Sequence, residues 1–192
     1  MIKEGKHKHP EHLKYKICLS GAAETGHCSP YALERAEEIG KEIARHGLVL
    51  VTGATTGAPY WAAKGAKEAG GIVIGFSPAV SEKEHIKMEL PVDYHDMIFY
   101  TGYGFSSRNL LLIRSADAVI TVCGRIGTLN EFSIAFEDEK PVGVLQESGG
   151  IADMIKEILD VAHRGAAKIV FDAEPRNLVE KIIETLSNNE EK

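Results

Sequence analysis

Long hydrophobic runs, abundant cysteine and an excess of positive charge are all missing from this sequence of 192 residues. A membrane-spanning helix needs about 18 or more consecutive apolar residues, and no such run occurs. The first residues, MIKEGKHKHPEHLKYK, lack the apolar stretch of a signal peptide. We therefore expect a cytoplasmic protein that does not associate with a membrane.

Cysteine is scarce, with only Cys18, Cys28 and Cys123 in the chain. An odd number without CxxC spacing fits a reducing compartment better than a disulfide framework, and it excludes a structural zinc site of the usual spacing. We interpret Cys28 and Cys123 as small apolar side chains rather than as nucleophiles or ligands.

Positive charge is also in short supply, because 22 Lys and Arg residues face 28 Asp and Glu residues, for a formal net charge of -6. Nucleic-acid surfaces depend on several Lys or Arg side chains that neutralise phosphates. A nucleic-acid partner is therefore disfavoured.

The N-terminal segment is the only basic cluster, and it also contains His7, His9 and His12. We interpret residues 1–14 as a solvated tail, with metal binding by its histidines as the alternative. Residues 15–192 are interpreted as a single domain, long enough to bury a core. Neither a metal nor another cofactor is predicted.

What the sequence does contain is a regular alternation of β-rich and helical patterns from Tyr15 onward. YKICLS, LVLVT and IVIGF are typical of strands, whereas SPYALERAEEIGKEIARHG and WAAKGAKEAGG are typical of helices. In the first helix we predict Ser29 as the N-cap, Pro30 in the first turn and Gly47 just past the end.

The second half of the chain continues this alternation. Further strands are predicted near residues 97–101, 118–122, 142–145 and 168–171. Further helices are predicted near residues 106–115, 128–137, 151–162 and 175–187. Residues 77–96 form the one irregular section, which we interpret as a lid or a surface excursion.

Continuous apolar strands such as AVITV are typical of a parallel sheet covered on both faces. Crossovers between parallel strands are right-handed almost without exception. The sequence therefore predicts a Rossmann-like, doubly wound α/β fold, with a mostly parallel sheet of about seven strands and helices on both faces.

Three glycine-rich turns follow predicted strands: SGAAETG, TGATTGAP and CGRIGT. In an open α/β sheet such turns lie together at the carboxyl ends of the strands, where their amides and the next helix N-terminus favour a phosphate. Neither GxGxxG nor GxxxxGK[ST] occurs at these turns, so a standard dinucleotide site or an ATP-hydrolysing loop is not indicated. The alternative is that the glycines only make tight turns.

The segments TGATTGAPYWAAKGAKEAGGIVIGFSP, SRNLLLIRSADAVITVCGRIGTLNE and KPVGVL resemble the LOG family, often mislabelled as lysine decarboxylases, and its wider group of Rossmann-like nucleotide-binding proteins. The similarity runs from Ile17 to about Leu159. It implies a homodimer that hydrolyses a nucleoside 5'-monophosphate to free base and ribose 5-phosphate. The family signature is PGGxGTxxE, preceded by an arginine one helix and one strand earlier.

In this resemblance, Arg108 matches the family's arginine and Glu131 matches the acidic residue of the signature, so both are predicted to be catalytic. Together with the glycine turns, the resemblance predicts a set of contacts to the phosphorylated ligand. These are Gly21, Ala22, Gly53, Thr56, Gly57, Asn109, Gly124, Arg125, Ile126, Gly127 and Thr128.

The sequence departs from the family pattern at three positions. Cys123 replaces the proline, Arg125 replaces the second glycine, and Asn109 replaces the lysine that usually follows the arginine. SRN is closer to the molybdenum-cofactor carrier proteins, which hold a phosphorylated ligand without cleaving it. The alternative function is therefore a non-catalytic carrier or sensor of a nucleotide or a pterin-type cofactor. DNA-processing proteins share a version of this fold, but the net charge argues against their activity.

The candidate residues have structural alternatives. Thr128 and Glu131 also fit a capping box, in which the glutamate bonds to the N-cap amide; as a site residue, Glu131 would instead stabilise a ribosyl cation or orient water. Arg108 at a helix start opposes the helix dipole, so it is interpreted as a phosphate ligand, with a surface ion pair as the alternative. Arg125 would add positive charge for the ligand at the turn, obstruct the ligand's approach to the turn, or point into solvent.

Apolar residues 110–113 run consecutively, which predicts a helix buried on more than one side. Core packing accounts for two of its faces, and the remaining apolar surface suits a two-fold dimer interface. Tyr60 and Trp61 follow the second glycine turn, where they would stack on a base or pack in the core.

Overall fold

The computed structural model describes residues 14–165 and 168–190, in which seven strands alternate with seven helices. The strands are β1 (Lys16–Gly21), β2 (Val49–Thr52), β3 (Ile72–Ser77), β4 (Met97–Tyr100), β5 (Ala118–Val122), β6 (Val142–Leu145) and β7 (Ile169–Asp172). The helices are α1 (Ala32–Arg45), α2 (Ala58–Glu68), α3 (Glu82–Lys87), α4 (Gly104–Ser115), α5 (Ile126–Glu137), α6 (Gly150–Val161) and α7 (Pro175–Glu190).

All seven strands are parallel and lie in the order β4-β3-β2-β1-β5-β6-β7. The chain runs outward from β1 to β4, returns to the other side of β1, and runs outward again from β5 to β7. At the reversal, the last residues of β1 and β5, Gly21 and Val122, are paired. Such a reversal leaves a crevice beyond the strand ends. The predicted Rossmann-like fold class is confirmed.

Helices cover both faces of the sheet, because alternate residues of each strand point to opposite sides. Ile17 and Leu19 of β1 belong to a core cluster with residues of α1, α2 and α7. Cys18 belongs to a second cluster with residues of α4, α5 and α6. The apolar strands are therefore buried on both sides, as their composition indicates.

The predicted start of α1 was wrong. The helix begins at Ala32 with Tyr31 as its N-cap, not at Ser29. The Ser29 amide donates instead to the Ser148 carbonyl at 2.9 Å, and its neighbour Cys28 forms a β-bridge with Gly149. These contacts with the segment after β6 hold residues 28 and 29 in an extended path, so the Ser-Pro signal is overridden by tertiary structure.

The section from residue 77 to 96 is more regular than predicted, because it contains α3. Ser81 caps this helix, its Oγ accepting from the Glu84 amide at 3.3 Å. Apart from Lys14, the predicted N-terminal tail lies outside the described residues, as do its three histidines. Within residues 14–165 and 168–190, no helix combines the length and apolarity needed to span a membrane.

Candidate functional site

A cleft with a cavity of about 180 Å³ lies beyond the carboxyl ends of β1, β2 and β5, at the reversal of strand order. Its walls come from the loop after β1, the turn after β2, the first half of α4 and the N-terminal turn of α5. Most of the predicted site residues line it. They are Gly21, Ala22, Gly53, Arg108, Asn109, Arg125, Gly127, Thr128 and Glu131.

The other predicted ligand contacts lie beside the cleft without lining it. Gly57 and Gly124 have φ values of 71° and 91° and shape the turns. Thr56 donates from its hydroxyl to the Ala23 carbonyl at 3.2 Å. Ile126 is 74% exposed, so its side chain lies in solvent.

Arg108 is the most unusual polar residue of the cleft, because its side chain is almost fully buried. Its Nε and Nη1 find no hydrogen-bond partner among the described residues. Burial lowers the pKa of the guanidinium, and the nearby Glu131 carboxylate opposes that effect. A Cβ at Gly53 would overlap the guanidinium, so the glycine at the end of β2 makes room for this side chain.

The Glu131 carboxyl group lies at the floor of the cleft, where Oε1 is 3.9 Å from Arg108 Nη1. Its Oε2 accepts a hydrogen bond from Ser20 Oγ. Burial raises the pKa of this carboxyl above its usual range, while Arg108 and the Ser20 bond act in the opposite direction. The carboxyl is therefore stabilised by partners from β1 and α4, and not by the start of its own helix.

The capping-box interpretation of Glu131 was wrong. Helix α5 begins at Ile126, with Arg125 as its N-cap and no side-chain capping bond. Thr128 is thus the third residue of the helix, so no N-cap amide is available at Thr128 for Glu131. The helix starts earlier than predicted because the turn after β5 is short.

Asn109 supports the same carboxyl group. In the amide orientation that satisfies its neighbours, Nδ2 donates to Glu131 Oε1 at 3.0 Å and to the Phe105 carbonyl at 2.8 Å. Ser20 and Asn109 together orient Glu131 from two elements. Sequence reasoning missed Ser20, although the alternation along β1 places it on the same face as Cys18, toward α5.

The N-terminal turn of α5 presents its first backbone amides without a capping side chain. Uncapped amides at the positive end of a helix favour an anion, so the turn is a candidate phosphate contact. Gly127 lies in this turn, and a Cβ there would meet no atom within 4 Å. Packing within the protein therefore does not require glycine at this position.

Arg125 lies at the mouth of the cleft and pairs with the loop after β1. Its Nη2 is 2.5 Å from Glu24 Oε2, and both side chains are largely exposed. Such exposed pairs contribute little to stability. A ligand phosphate could therefore compete with Glu24 for this guanidinium at small cost.

The expectation of unpaired cysteines was wrong for two of the three. Cys28 and Cys123 form a disulfide, with their Cα atoms 5.6 Å apart, whereas Cys18 is free and buried. The two bonded residues are 95 positions apart in sequence. They meet because they follow β1 and β5, which are neighbours in the sheet. The His27 ring lies beside them, its Nε2 3.2 Å from the Gly124 carbonyl oxygen.

Neither aromatic residue proposed for base stacking lines the cleft. Trp61 packs against the core and carries the Lys64 ammonium 4.8 Å from its ring centroid, and Tyr60 contacts Tyr94. The aromatic side chain at the cleft is Phe105, near the start of α4, which is 52% exposed. Sequence reasoning missed Phe105, which lies outside the segments that resemble the family. It also missed Thr55, although Thr55 lies within the second glycine-rich turn, TGATTGAP.

Comparisons with known proteins agree with this architecture. The sequence profile described as the SLOG cluster4 family matches residues 14–179. An uncharacterized protein of Archaeoglobus fulgidus is 34% identical over 131 residues, which cover 68% of this chain and 82% of the relative.

Two solved structures are similar over nearly their whole length. The molybdenum cofactor binding protein of the phototrophic bacterium Rippkaea orientalis is 29% identical, with a TM-score of 0.75, and the match covers 90% of this chain and 98% of that one. The molybdenum cofactor carrier protein of Chlamydomonas reinhardtii is also 29% identical, with a TM-score of 0.75, covering 91% of this chain and 99% of that one.

Proposed function

This chain belongs to the SLOG cluster4 family, and from that premise we propose that it binds a phosphorylated nucleotide or nucleotide-like molecule in the cleft between β1 and β5. The phosphate lies against the N-terminal amides of α5 and the guanidinium of Arg108. The heterocycle lies toward Phe105, the exposed aromatic ring of the cleft.

The observation that carries this proposal is the unsatisfied guanidinium of Arg108. Burying a charged group without hydrogen bonds costs free energy, and the folded protein tolerates that cost where a ligand supplies the missing partners. Nε and Nη1 of Arg108 lack such partners among the described residues. A phosphate offers acceptor oxygens in a geometry that matches the guanidinium fork.

The charges around the cleft favour an anion of moderate size. Arg108, Arg125 and the amide end of α5 are positive, whereas Glu131 is held at the floor beside Arg108. Burial raises the pKa of Glu131, so protonation of this carboxyl, which removes its repulsion of a ligand phosphate, occurs at a higher pH than for an exposed carboxyl. Arg125 at the mouth adds a cation for a second phosphate.

The similar solved structures support a ligand that is held and not cleaved. Two of them, by their descriptions, bind or carry the molybdenum cofactor. The departures of this chain from the LOG signature, at Cys123, Arg125 and Asn109, point the same way. The best-supported function is therefore a carrier or sensor of a phosphorylated heterocyclic ligand.

A second candidate is hydrolysis of the N-glycosidic bond of a nucleoside monophosphate. It is favoured by the placement of Glu131, whose carboxyl group is oriented by Ser20 and Asn109 at the floor of the cleft. A carboxylate held in this way can stabilise a ribosyl cation or orient water, as carboxylates do in glycoside hydrolysis. Arg108 would then hold the 5'-phosphate.

A thermal-shift comparison of matched pairs tests the binding proposal. AMP and GMP should raise the melting temperature more than adenosine and guanosine, because a ligand at about 100 times its Kd adds about 2.7 kcal/mol to the stability of the folded state. Equal shifts for nucleotide and nucleoside would contradict a phosphate site.

Incubation of each stabilising nucleotide, followed by chromatography, separates carrier from hydrolase. The carrier proposal predicts no free base. Release of base would favour the hydrolase instead, and the Glu131→Gln variant should then lose that activity by orders of magnitude while still binding the nucleotide.

A further inference from the structure

Three contacts join the loop after β1 to the turn after β5. The first is the disulfide between Cys28 and Cys123. The second is the contact between His27 Nε2 and the Gly124 carbonyl oxygen at 3.2 Å, and the third is the Arg125 to Glu24 ion pair. We call these three contacts the clasp. Only the first is covalent, so the strength of the clasp depends on the redox state of two cysteines.

Both segments joined by the clasp form walls of the proposed ligand cleft. Ala22 and Ala23 belong to the loop after β1, whereas Arg125 and Gly127 belong to the turn and the start of α5. A change in the clasp therefore acts directly on the side of the cleft that presents the amides of α5.

The turn is held in a conformation that its own sequence does not favour. Cys123 has a φ of 53°, in the left-handed region that a non-glycine residue rarely occupies. Such a residue keeps this conformation only where surrounding contacts enforce it. The contacts at Cys123 are the disulfide, the hydrogen bond from its amide to Ser148 Oγ at 2.8 Å, and the hydrogen bond that its carbonyl accepts from the Ala152 amide at 2.9 Å. Loss of the disulfide removes the covalent contact and the one that acts on the side chain, and leaves the two backbone hydrogen bonds.

The disulfide can be reached by a small thiol from one side. Cys28 is partly exposed, whereas Cys123 is fully buried. A ring nitrogen of His27 and the two sulfur atoms all lie within 4.8 Å of one another, so a proton acceptor is next to the reacting atoms. Thiolate attack is therefore directed to Cys28 Sγ.

We propose that Cys28 and Cys123 form a reversible redox site that sets the affinity of the cleft for its phosphorylated ligand. The proposal rests on the proposed binding function. In the oxidised protein the clasp is closed, the turn is held in its left-handed conformation and affinity is high. In the reduced protein the turn relaxes, the amides of α5 lose their alignment and affinity falls.

The reduction step consumes one molecule of a cellular dithiol. Its thiolate attacks Cys28 Sγ, the sulfur–sulfur bond breaks, and Cys123 leaves as a thiolate that takes up a proton. The second thiol of the reagent then displaces Cys28 as a thiol and closes its own disulfide. Two electrons and two protons pass from the dithiol to the protein, and an oxidised low-molecular-weight disulfide reverses the exchange.

The affinity of the whole protein for AMP, measured by calorimetry in both redox states, tests this proposal. EDTA is included, because two reduced cysteines and His27 form a ligand set for zinc. Reduction should raise the Kd for AMP about fivefold or more, a typical allosteric coupling, and reoxidation should restore it. Circular dichroism at the same temperature must show that both forms are folded.

Two cysteine variants show which cysteines cause the change in AMP affinity on reduction. Cys28→Ser should have the low affinity in both states, whereas Cys18→Ser, altered at the buried free cysteine, should respond to reduction as the native protein does. A native protein with equal affinity in both states, or a Cys28→Ser variant that still responds, would overturn the proposal.

Hydrogen exchange at the amides of residues 124–128 gives a readout that needs no ligand, and reduction should accelerate it. If AMP binds both forms equally, the redox site is refuted and the binding function stands. If AMP binds neither form while exchange responds to reduction, the binding function is refuted and the redox control of the turn stands. If reduction changes neither the affinity for AMP nor the hydrogen-exchange rate of these amides, the redox site is refuted.

Discussion

At the scale of single residues, the site depends on one buried cation and one buried acid. Arg108 has unsatisfied guanidinium nitrogens, and the Glu131 carboxyl group is 3.9 Å away. At this separation the guanidinium and the carboxyl group do not form a direct hydrogen bond, so their pairing offsets little of the free-energy cost of burying them. Their positions suit contact with a third group better than contact with each other. This arrangement is what the proposed ligand phosphate would complete.

The pH dependence of stability should report on Glu131. Burial raises its pKa above the usual value near 4.5, so the folded protein binds this proton more tightly than the unfolded chain does. The stabilisation from the proton is complete below about pH 4.5 and is lost as the pH rises through the raised pKa. The Glu131→Gln variant cannot lose this proton. It should therefore gain stability relative to the native protein as the pH rises.

Urea unfolding of both proteins at about pH 4.5, 6 and 7.5 measures this difference, with about 1.4 kcal/mol expected for each unit by which the pKa is raised. A difference in unfolding free energy that does not change with pH, or that changes in the opposite direction, would show that Glu131 is not destabilised by burial.

Sequence patterns located the candidate residues better than they assigned their partners. Arg108 and Glu131 were identified from a family resemblance, and both line the cleft. Glu131 was open to a capping interpretation because Thr128 precedes it by three residues, a local pattern. Of its two side-chain hydrogen-bond partners, Ser20 lies 111 residues away, and both Ser20 and Asn109 come from other elements. Local patterns contain no information about such contacts.

At the scale of elements, the strands were predicted well because their signal is compositional. A strand buried on both faces, such as β5, is a continuous apolar run wherever it lies in the sheet. The start of α1 and the disulfide were missed because both depend on which strands are neighbours. Cys28 and Cys123 meet only because β5 returns to the side of β1.

The N-terminal turn of α5 is the element on which the proposed anion binding depends, and substitution of Gly127 tests that proposal. Alanine is favoured over glycine in helices, and a Cβ at this position meets no atom of the protein within 4 Å. Gly127→Ala should therefore stabilise the fold by a few tenths to about 1 kcal/mol. It should also weaken AMP binding, because the added methyl group lies where the ligand approaches the amides.

Thermal unfolding and calorimetry measure the two effects. Ser133→Ala, at an exposed position of the same helix, is the matched control and should leave AMP binding unchanged. If Gly127→Ala binds AMP as tightly as the native protein does, the ligand does not approach this turn.

At the scale of the whole molecule, large apolar side chains are exposed on β4 and α4. Leu112 and Ile113 are buried as expected, but Leu110 and Leu111 are 39% and 40% exposed. Met97, Phe99 and Tyr103 are exposed as well. Exposed apolar patches of this kind mark interaction surfaces. We infer a homodimer that buries this face, with α4 at its interface.

Sedimentation equilibrium at micromolar concentration tests the dimer. The native protein should sediment as a dimer, and Leu111→Glu should shift it to a monomer because the dimer would bury an unpaired charge. Met154→Glu, at an exposed apolar position of α6, is the control and should remain dimeric. A native monomer would leave Leu110 and Leu111 as surface residues without a partner.

The central claim is that Arg108 holds the ligand through its phosphate, and calorimetric titration of AMP and adenosine tests it most directly. We predict that Arg108→Gln weakens AMP binding about tenfold or more, equivalent to about 1.4 kcal/mol, with little effect on adenosine. Arg114→Gln, an exposed arginine of the same helix paired with Asp138, should bind AMP as the native protein does. Unchanged AMP affinity in a folded Arg108→Gln variant would contradict the account.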